Sequence, residues 1–88
     1  MFQLGRLVAT PGALQAMAEA GVNPASLLLR HQSGDWGDVD NTDWKLNDAA
    51  LKEGSRLLSA YVLPSGVRLW VITEHDHSVT TVLLPREY

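Results

Sequence analysis

Two sets of side chains in this sequence are of types that carry out chemistry in proteins, namely its three histidines and a dense run of aspartates. The histidines are His31, His75 and His77. The aspartates concentrate in residues 35–48, where five of them accompany the single Lys45. Histidine is the usual proton-transfer group near neutral pH, and clustered carboxylates bind cations or basic surfaces. The histidines therefore suggest catalysis or metal binding, and the aspartates suggest metal binding or recognition.

The histidines are compatible with a small metal-independent ribonuclease or hydrolase. His31, His75 and His77 would transfer protons, and Arg68 or Arg86 would stabilise developing negative charge. Many small bacterial toxins with helices followed by a β-meander act in this way, but they are generally basic, whereas this chain carries a formal net charge of −3. The sequence contains no nucleophile motif, glycine-rich phosphate loop or paired catalytic carboxylates. Catalysis is therefore the alternative hypothesis.

A metal site is not predicted from either set. An EF-hand loop starting at Asp38 would need glycine at its sixth position and glutamate at its twelfth, but Asp43 and Ala49 stand there. His75 and His77 alternate as two ligands could, and His31 is a possible third, but the chain has no cysteine and no complete zinc set. The sequence therefore predicts no metal and no cofactor.

Recognition is the remaining hypothesis for the acidic segment, which we define as residues 35–43. Trp36 lies between glycine and aspartate, and we predict that it contacts a partner. Trp44 lies on the apolar side of a predicted helix, and we predict that it is buried. The predicted binding residues are Asp35, Trp36, Asp38, Asp40 and Asp43, with Arg68 and Trp70 as a second patch.

Capping residues predict three helices before residue 55. A Thr-Pro pair at 10–11 and an Asn-Pro pair at 23–24 each place a capping side chain before a proline, which suits the first helical position. The third helix is predicted over residues 43–53, with Thr42 as its cap and Gly54 as its end. The acidic segment therefore leads into this third helix.

The pattern becomes extended after residue 56. Three segments are rich in β-branched and aromatic residues, namely residues 57–63, 67–74 and 79–84. We predict a single α+β domain over residues 1–88, with a helical part at 10–54 packed on a three-stranded antiparallel β-meander at 57–84. Residues 2–9 are compatible with a short preceding strand. Neither face of the meander is cleanly polar, so the second face is left for the N-terminal segment, a partner or a homodimer.

Composition excludes several classes of protein. The net charge of −3 argues against direct nucleic-acid binding, which needs a basic surface. No apolar run approaches the eighteen or so residues of a membrane span. The N-terminal residues do not form a secretory signal, and cysteine is absent. We therefore expect a cytoplasmic protein.

Two strings of the sequence resemble a known family. They are GDWGDVDNTDWKLNDAALKEGSRLLSAYVLP and RLWVITEHDHSVTTVLLPREY. The chain is similar to small proteobacterial proteins carried on plasmids and integrative elements, which are labelled "plasmid-related". The resemblance covers most of the chain and implies association with a mobile element, but no activity and no catalytic residue. The family pattern ITE-x-D-x-S ties neither position 75 nor position 77 to histidine.

These inferences favour a binding role. We expect a non-enzymatic accessory or regulatory protein of a mobile genetic element that binds a host or element protein through the acidic segment. Because acidic side chains can stand in for DNA phosphates, a DNA mimic that blocks a nucleic-acid-binding protein is one form of this hypothesis. The ribonuclease or hydrolase hypothesis remains the alternative.

Overall fold

The computed structural model describes all 88 residues as three α-helices and one four-stranded sheet, which confirms the predicted α+β class. The elements in chain order are β1 (Arg6–Ala9), α1 (Pro11–Ala20), α2 (Pro24–Gln32), α3 (Asn41–Glu53), β2 (Leu57–Val62), β3 (Arg68–Thr73), β4 (Val79–Leu83) and a 3-10 turn (Pro85–Glu87). None of the helices has the length and apolar character needed to cross a membrane.

The helix starts follow the capping residues, with one correction. Thr10 and Asn23 cap α1 and α2 as predicted, each accepting a hydrogen bond from a backbone N–H in the first turn. Helix α3 begins earlier than predicted, because its cap is Asp40 and not Thr42. The Asp40 carboxylate accepts a hydrogen bond from the Asp43 N–H at 2.8 Å. A negative charge at this end is also favoured by the helix dipole.

The sheet contains the predicted meander and one further strand. Strands β2, β3 and β4 pair antiparallel in sequence order. Strand β1 pairs with β4 in the parallel direction, so the strand order is β1-β4-β3-β2 and the sheet is mixed. The prediction of a purely antiparallel three-stranded sheet was therefore wrong in this respect. A parallel pair needs a long crossover, and here the crossover contains all three helices and two strands.

Helices α1 and α2 cover one face of the sheet, which we call the helical face. Its core comprises strand residues and residues of α1 and α2, namely Tyr61, Leu63, Leu69, Val71, Val82 and Leu84 with Ala13, Met17 and Leu27. The opposite face, which we call the second face, carries Trp70. The Trp70 ring meets the ring of Tyr88 edge-on at 5.7 Å, and the Arg56 guanidinium lies 5.1 Å from the Tyr88 ring centre. The C-terminus therefore covers part of the second face.

Helix α3 is attached to strand β2 by a buried amide. Asn47 lies on the apolar side of α3 and is only 7% exposed. Its Nδ2 donates to the Leu58 carbonyl at 2.7 Å, and its Oδ1 accepts from the Leu58 N–H at 3.1 Å. Both halves of the amide are thus satisfied, as burial requires. This contact attaches the middle of α3 to strand β2 at the edge of the sheet.

Candidate functional site

Trp36 lies in the core and not at the surface. Its side chain has no solvent exposure and packs against Ala50 and Leu57. Its indole Nε1–H donates to Asp48 at 2.9 Å. Trp44 is only half-buried at the edge of the same cluster. The prediction that Trp36 contacts a partner at the surface was therefore wrong, because the backbone of residues 36–38 pairs with Ala60 of β2 and sets the Trp36 side chain in the core. Trp44 packs against the core cluster as predicted, but it is only partly buried.

The backbone of the acidic segment covers the outer edge of β2. Ala60 donates its N–H to the Trp36 carbonyl at 3.0 Å and accepts from the Asp38 N–H at 2.6 Å. Gly37 lies between them with φ +75°, and a Cβ there would overlap the Ala60 carbonyl oxygen. Glycine is required at this position for both reasons. The segment is thus held as an extension of the sheet edge.

Asp35 is the most constrained of the predicted binding residues. Its carboxylate accepts hydrogen bonds from Arg30 at 2.7 Å and from the Gly37 N–H at 3.1 Å. The hydrogen bond from Arg30 lowers the pKa of the Asp35 carboxyl and raises the pKa of the Arg30 guanidinium. The Tyr61 hydroxyl donates to the Asp35 carbonyl at 2.6 Å, and burial raises the pKa of Tyr61 to about 12. Asp35 is therefore part of the scaffold.

The other carboxylates of the segment project outward. Asp38 forms a 2.7 Å ion pair with Arg68, whose other amino group also donates to the Asp38 carbonyl at 3.3 Å. The structure thus brings together one residue from each predicted patch. Asp40 and Asp43 are exposed at the start of α3, and Leu46, one turn further, is 61% exposed. All three carboxylates are thus exposed, and Leu46 lies beside Asp43 on the surface of α3 at a spacing of three residues.

The first histidine belongs to a buried hydrogen-bond network. His31 has no solvent exposure; its Nδ1 lies 2.5 Å from Ser59 Oγ and its Nε2 lies 2.9 Å from Thr73 Oγ1. Thr73 Oγ1 is 2.7 Å from Thr80 Oγ1, which donates to the Leu4 carbonyl at 2.7 Å. The chain of contacts joins α2 to three strands of the sheet and to the N-terminal segment.

The Leu4 carbonyl, which can only accept, fixes the direction of every hydrogen bond in this network. Because the Thr80 proton goes to a carbonyl, Thr73 must donate to Thr80 and must accept from His31 Nε2–H. Ser59 then donates to Nδ1, so the ring is neutral with its proton on Nε2. Burial, with a smaller contribution from the charge of His77, lowers the pKa of His31 to about 4. The network is complete only when His31 is uncharged.

The three histidines do not share an exposed site. His75 is exposed on the turn between β3 and β4. His77 is half-buried with φ +56°, and its ring packs 5.2 Å from Phe2. Phe2 also contacts His31 and Trp36, at 5.4 and 6.2 Å. The ring of His31 thus packs in an aromatic cluster in the core, with both its nitrogens bonded to other side chains.

The partners of His31, Ser59 and Thr73, were not among the predicted site residues. Ser59 and Thr73 are polar residues with no solvent exposure on the helical face. Strand alternation places them on the same side as Leu57 and Leu69. Two small hydroxyl residues on the inward side of predicted strands were a signal that a buried polar partner exists.

Metal removal should have no effect on stability. No group of three or more His, Asp or Glu side chains is positioned to hold a metal ion. We therefore expect EDTA to leave the melting temperature unchanged in a thermal scan. A rise of several degrees on adding calcium or zinc would contradict this expectation, because a ligand that binds only the folded state raises its stability.

Comparisons of this chain with protein-family models, curated proteins and solved structures found no match. The class defined by the structure itself is an α+β domain with three helices and a mixed four-stranded sheet, two of the helices packing on one face.

Proposed function

We propose that this protein is a non-enzymatic binding protein, an accessory or regulatory protein of a mobile genetic element that acts in the cytoplasm on a host or element protein. The proposed binding surface consists of Asp38, Asp40 and Asp43 with the exposed Leu46. The observation that supports it is the rigid mounting of the segment. Trp36 anchors it in the core, and its backbone is paired with β2 while the three carboxylates face solvent. A preorganised surface loses little conformational entropy on binding.

The charge of this surface indicates a basic partner. Asp35 is paired with Arg30 and Asp38 with Arg68, so Asp40 and Asp43 carry the charge that is least compensated. Attraction between such a surface and a basic protein raises the association rate and weakens with salt. In the DNA-mimic form of the proposal, the basic partner is a nucleic-acid-binding protein, and these carboxylates occupy its phosphate-binding positions.

The environment of His31 supports binding over the alternative of a ribonuclease or hydrolase. A general acid or base must come within hydrogen-bond reach of its substrate. Both ring nitrogens of His31 are bonded to side chains inside the fold, and the residue has no solvent exposure. His75 is exposed on its turn and His77 packs against Phe2, so neither is placed together with His31 at an accessible site.

The double variant Asp38→Asn with Asp43→Asn should separate recognition from stability. Neither carboxylate accepts a backbone hydrogen bond, and the Asp38–Arg68 pair is about half exposed. We expect each change to alter the free energy of unfolding by no more than about 0.5 kcal/mol. The variant should lose the basic partner that the wild type captures from a proteobacterial lysate at low salt, as measured by quantitative mass spectrometry.

The matched control is Glu19→Gln with Glu53→Gln, which removes the same charge from exposed positions outside the acidic segment. It should retain the partner. Equal loss of capture in both variants would mean that net charge, and not this surface, attracts the partner. Full capture by the Asp38 and Asp43 variant would overturn the proposed surface. Asp35→Asn is unsuitable for this test, because Asp35 also holds Arg30 and the Gly37 N–H.

A further inference from the structure

Strand β1 is an open edge of the sheet. Arg6 and Thr10 donate their N–H groups to the Ser78 and Val82 carbonyls of the β4 side, at 2.9 and 3.0 Å. Backbone groups alternate in direction along a strand, so the N–H and C=O groups of Leu7 and Ala9 point away from β4. No strand lies on that side. These groups are free to pair with another strand.

The two edges of the sheet differ in protection. The β2 edge is covered by the acidic segment, whereas β1 is a four-residue strand that no other segment covers, and its single charged side chain, Arg6, lies at its first position. Leu7 is 55% exposed and Val8 is 39% exposed. Beside them is an apolar groove of about 190 Å³ between β1 and α2, lined mainly by Leu7, Ala9, Pro24 and Leu28. Backbone pairing combined with an apolar groove is the arrangement used for strand addition.

We propose that β1 pairs antiparallel with β1 of a second copy of this chain, with Val8 opposite Val8 on the two-fold axis. Opposite residues in an antiparallel pair lie on the same face of the sheet. This register satisfies that condition and sets Leu7 of one copy opposite Ala9 of the other. The outward N–H and C=O groups of these two residues then bond to each other across the axis. The two sheets become one continuous sheet, with the helices of both copies on the same side.

Charge complementarity selects this register and this occupant. Arg6 of one copy lies opposite Thr10 of the other, and the Thr10 hydroxyl donates to Glu87 Oε1 at 2.6 Å. Each copy therefore brings an arginine next to the other copy's exposed carboxylate. The neighbouring register, with Leu7 opposite Leu7, sets Arg6 opposite Val8 and draws Gly5 into the ladder. Gly5 has φ +67° and is not extended, so that register lacks both the ion pair and a straight strand.

The variant Leu7→Pro tests the pairing directly. It deletes an N–H that has no partner within one chain, and proline is tolerated on the solvent side of an edge strand. The control Leu7→Val keeps both the N–H and an apolar side chain. Sedimentation equilibrium should give twice the 9.6 kDa chain mass for the wild type and Leu7→Val, and a single chain for Leu7→Pro with an unchanged circular dichroism spectrum.

A second variant covers the case in which Leu7→Pro fails to fold. Arg6→Glu sets a carboxylate against Glu87 of the other copy, and we expect it to raise the dimer Kd at least about tenfold at low salt, with partial recovery at high salt. The proposal is overturned if the wild-type protein remains monomeric at chain concentrations up to about 1 mM, because the dimer Kd would then be weaker than about 1 mM. The proposal is also overturned if Leu7→Pro and Arg6→Glu leave the dimer intact while Val62→Asp dissociates it. Val62 lies on the second face, so that result would place the dimer interface there and not at β1.

Discussion

The free energy of unfolding is expected to fall by about 3–5 kcal/mol when Trp36 is replaced with alanine. Trp36 has no solvent exposure and fills the space between Ala50, Leu57 and Phe2, so its removal leaves a cavity that the surrounding helix and strand cannot close. The stability of a small domain is of the same order, and much of the variant should be unfolded at 25 °C. Urea denaturation followed by circular dichroism measures the loss.

Trp44→Ala is the matched control, since the same side chain is removed from a half-buried position at the edge of the same cluster. We expect a loss below about 2 kcal/mol there. Equal losses, or a larger loss at Trp44, would contradict the buried placement of Trp36. Trp36→Phe separates the contribution of packing from that of the hydrogen bond, because it keeps an aromatic ring in the core but removes the indole N–H that donates to Asp48. Since Asp48 is exposed and regains water, this variant should cost less than the alanine.

Acidification from pH 7 to pH 4.5 is expected to destabilise the protein through His31. The pKa of His31 is lowered by burial from 6.5 to about 4 in the folded protein, so the unfolded chain binds this proton more tightly. The contribution of neutral His31 to the free energy of unfolding is therefore fully present above pH 6.5, and it is lost as the pH falls toward 4. The difference in pKa corresponds to roughly 3 kcal/mol at 1.36 kcal/mol per unit. Urea denaturation curves measured at several pH values across this range give the dependence of the free energy of unfolding on pH.

His31→Gln is the control for this transition. A glutamine amide can donate to Thr73 and accept from Ser59, but it does not titrate. The variant should have lower stability at pH 7 and a much flatter dependence between pH 6.5 and 4.5. Parallel curves for the wild type and the variant would show that other groups cause the loss. Asp35 does not account for a loss of stability in this pH range. Its pKa is lowered in the folded protein, so its contribution to the free energy of unfolding is lost only at more acidic pH.

Local signals in the sequence determined the elements of this fold. A capping side chain followed by proline located the starts of α1 and α2, since both signals act within one turn of helix. Alternation and turn residues located β2, β3 and β4 to within a residue or two. The acidic character of residues 35–43 and their connection to α3 were also readable, because charge and helix capping depend on neighbours in the chain.

Contacts between distant residues decided the rest. Strand β1 pairs with β4 over more than seventy residues, and nothing within either strand encodes a parallel partner. The local context of Trp36, a loop with glycine and aspartate, favoured exposure, and the pairing of the acidic segment with β2 instead places its side chain in the core. His31 meets Ser59 and Thr73 at separations of 28 and 42 residues, and Asp38 meets Arg68 at 30. The sequence alone therefore determined which side chains are polar or apolar and which segments are helical or extended. The tertiary structure decided which of them are buried, because burial depends on elements brought together from the whole chain.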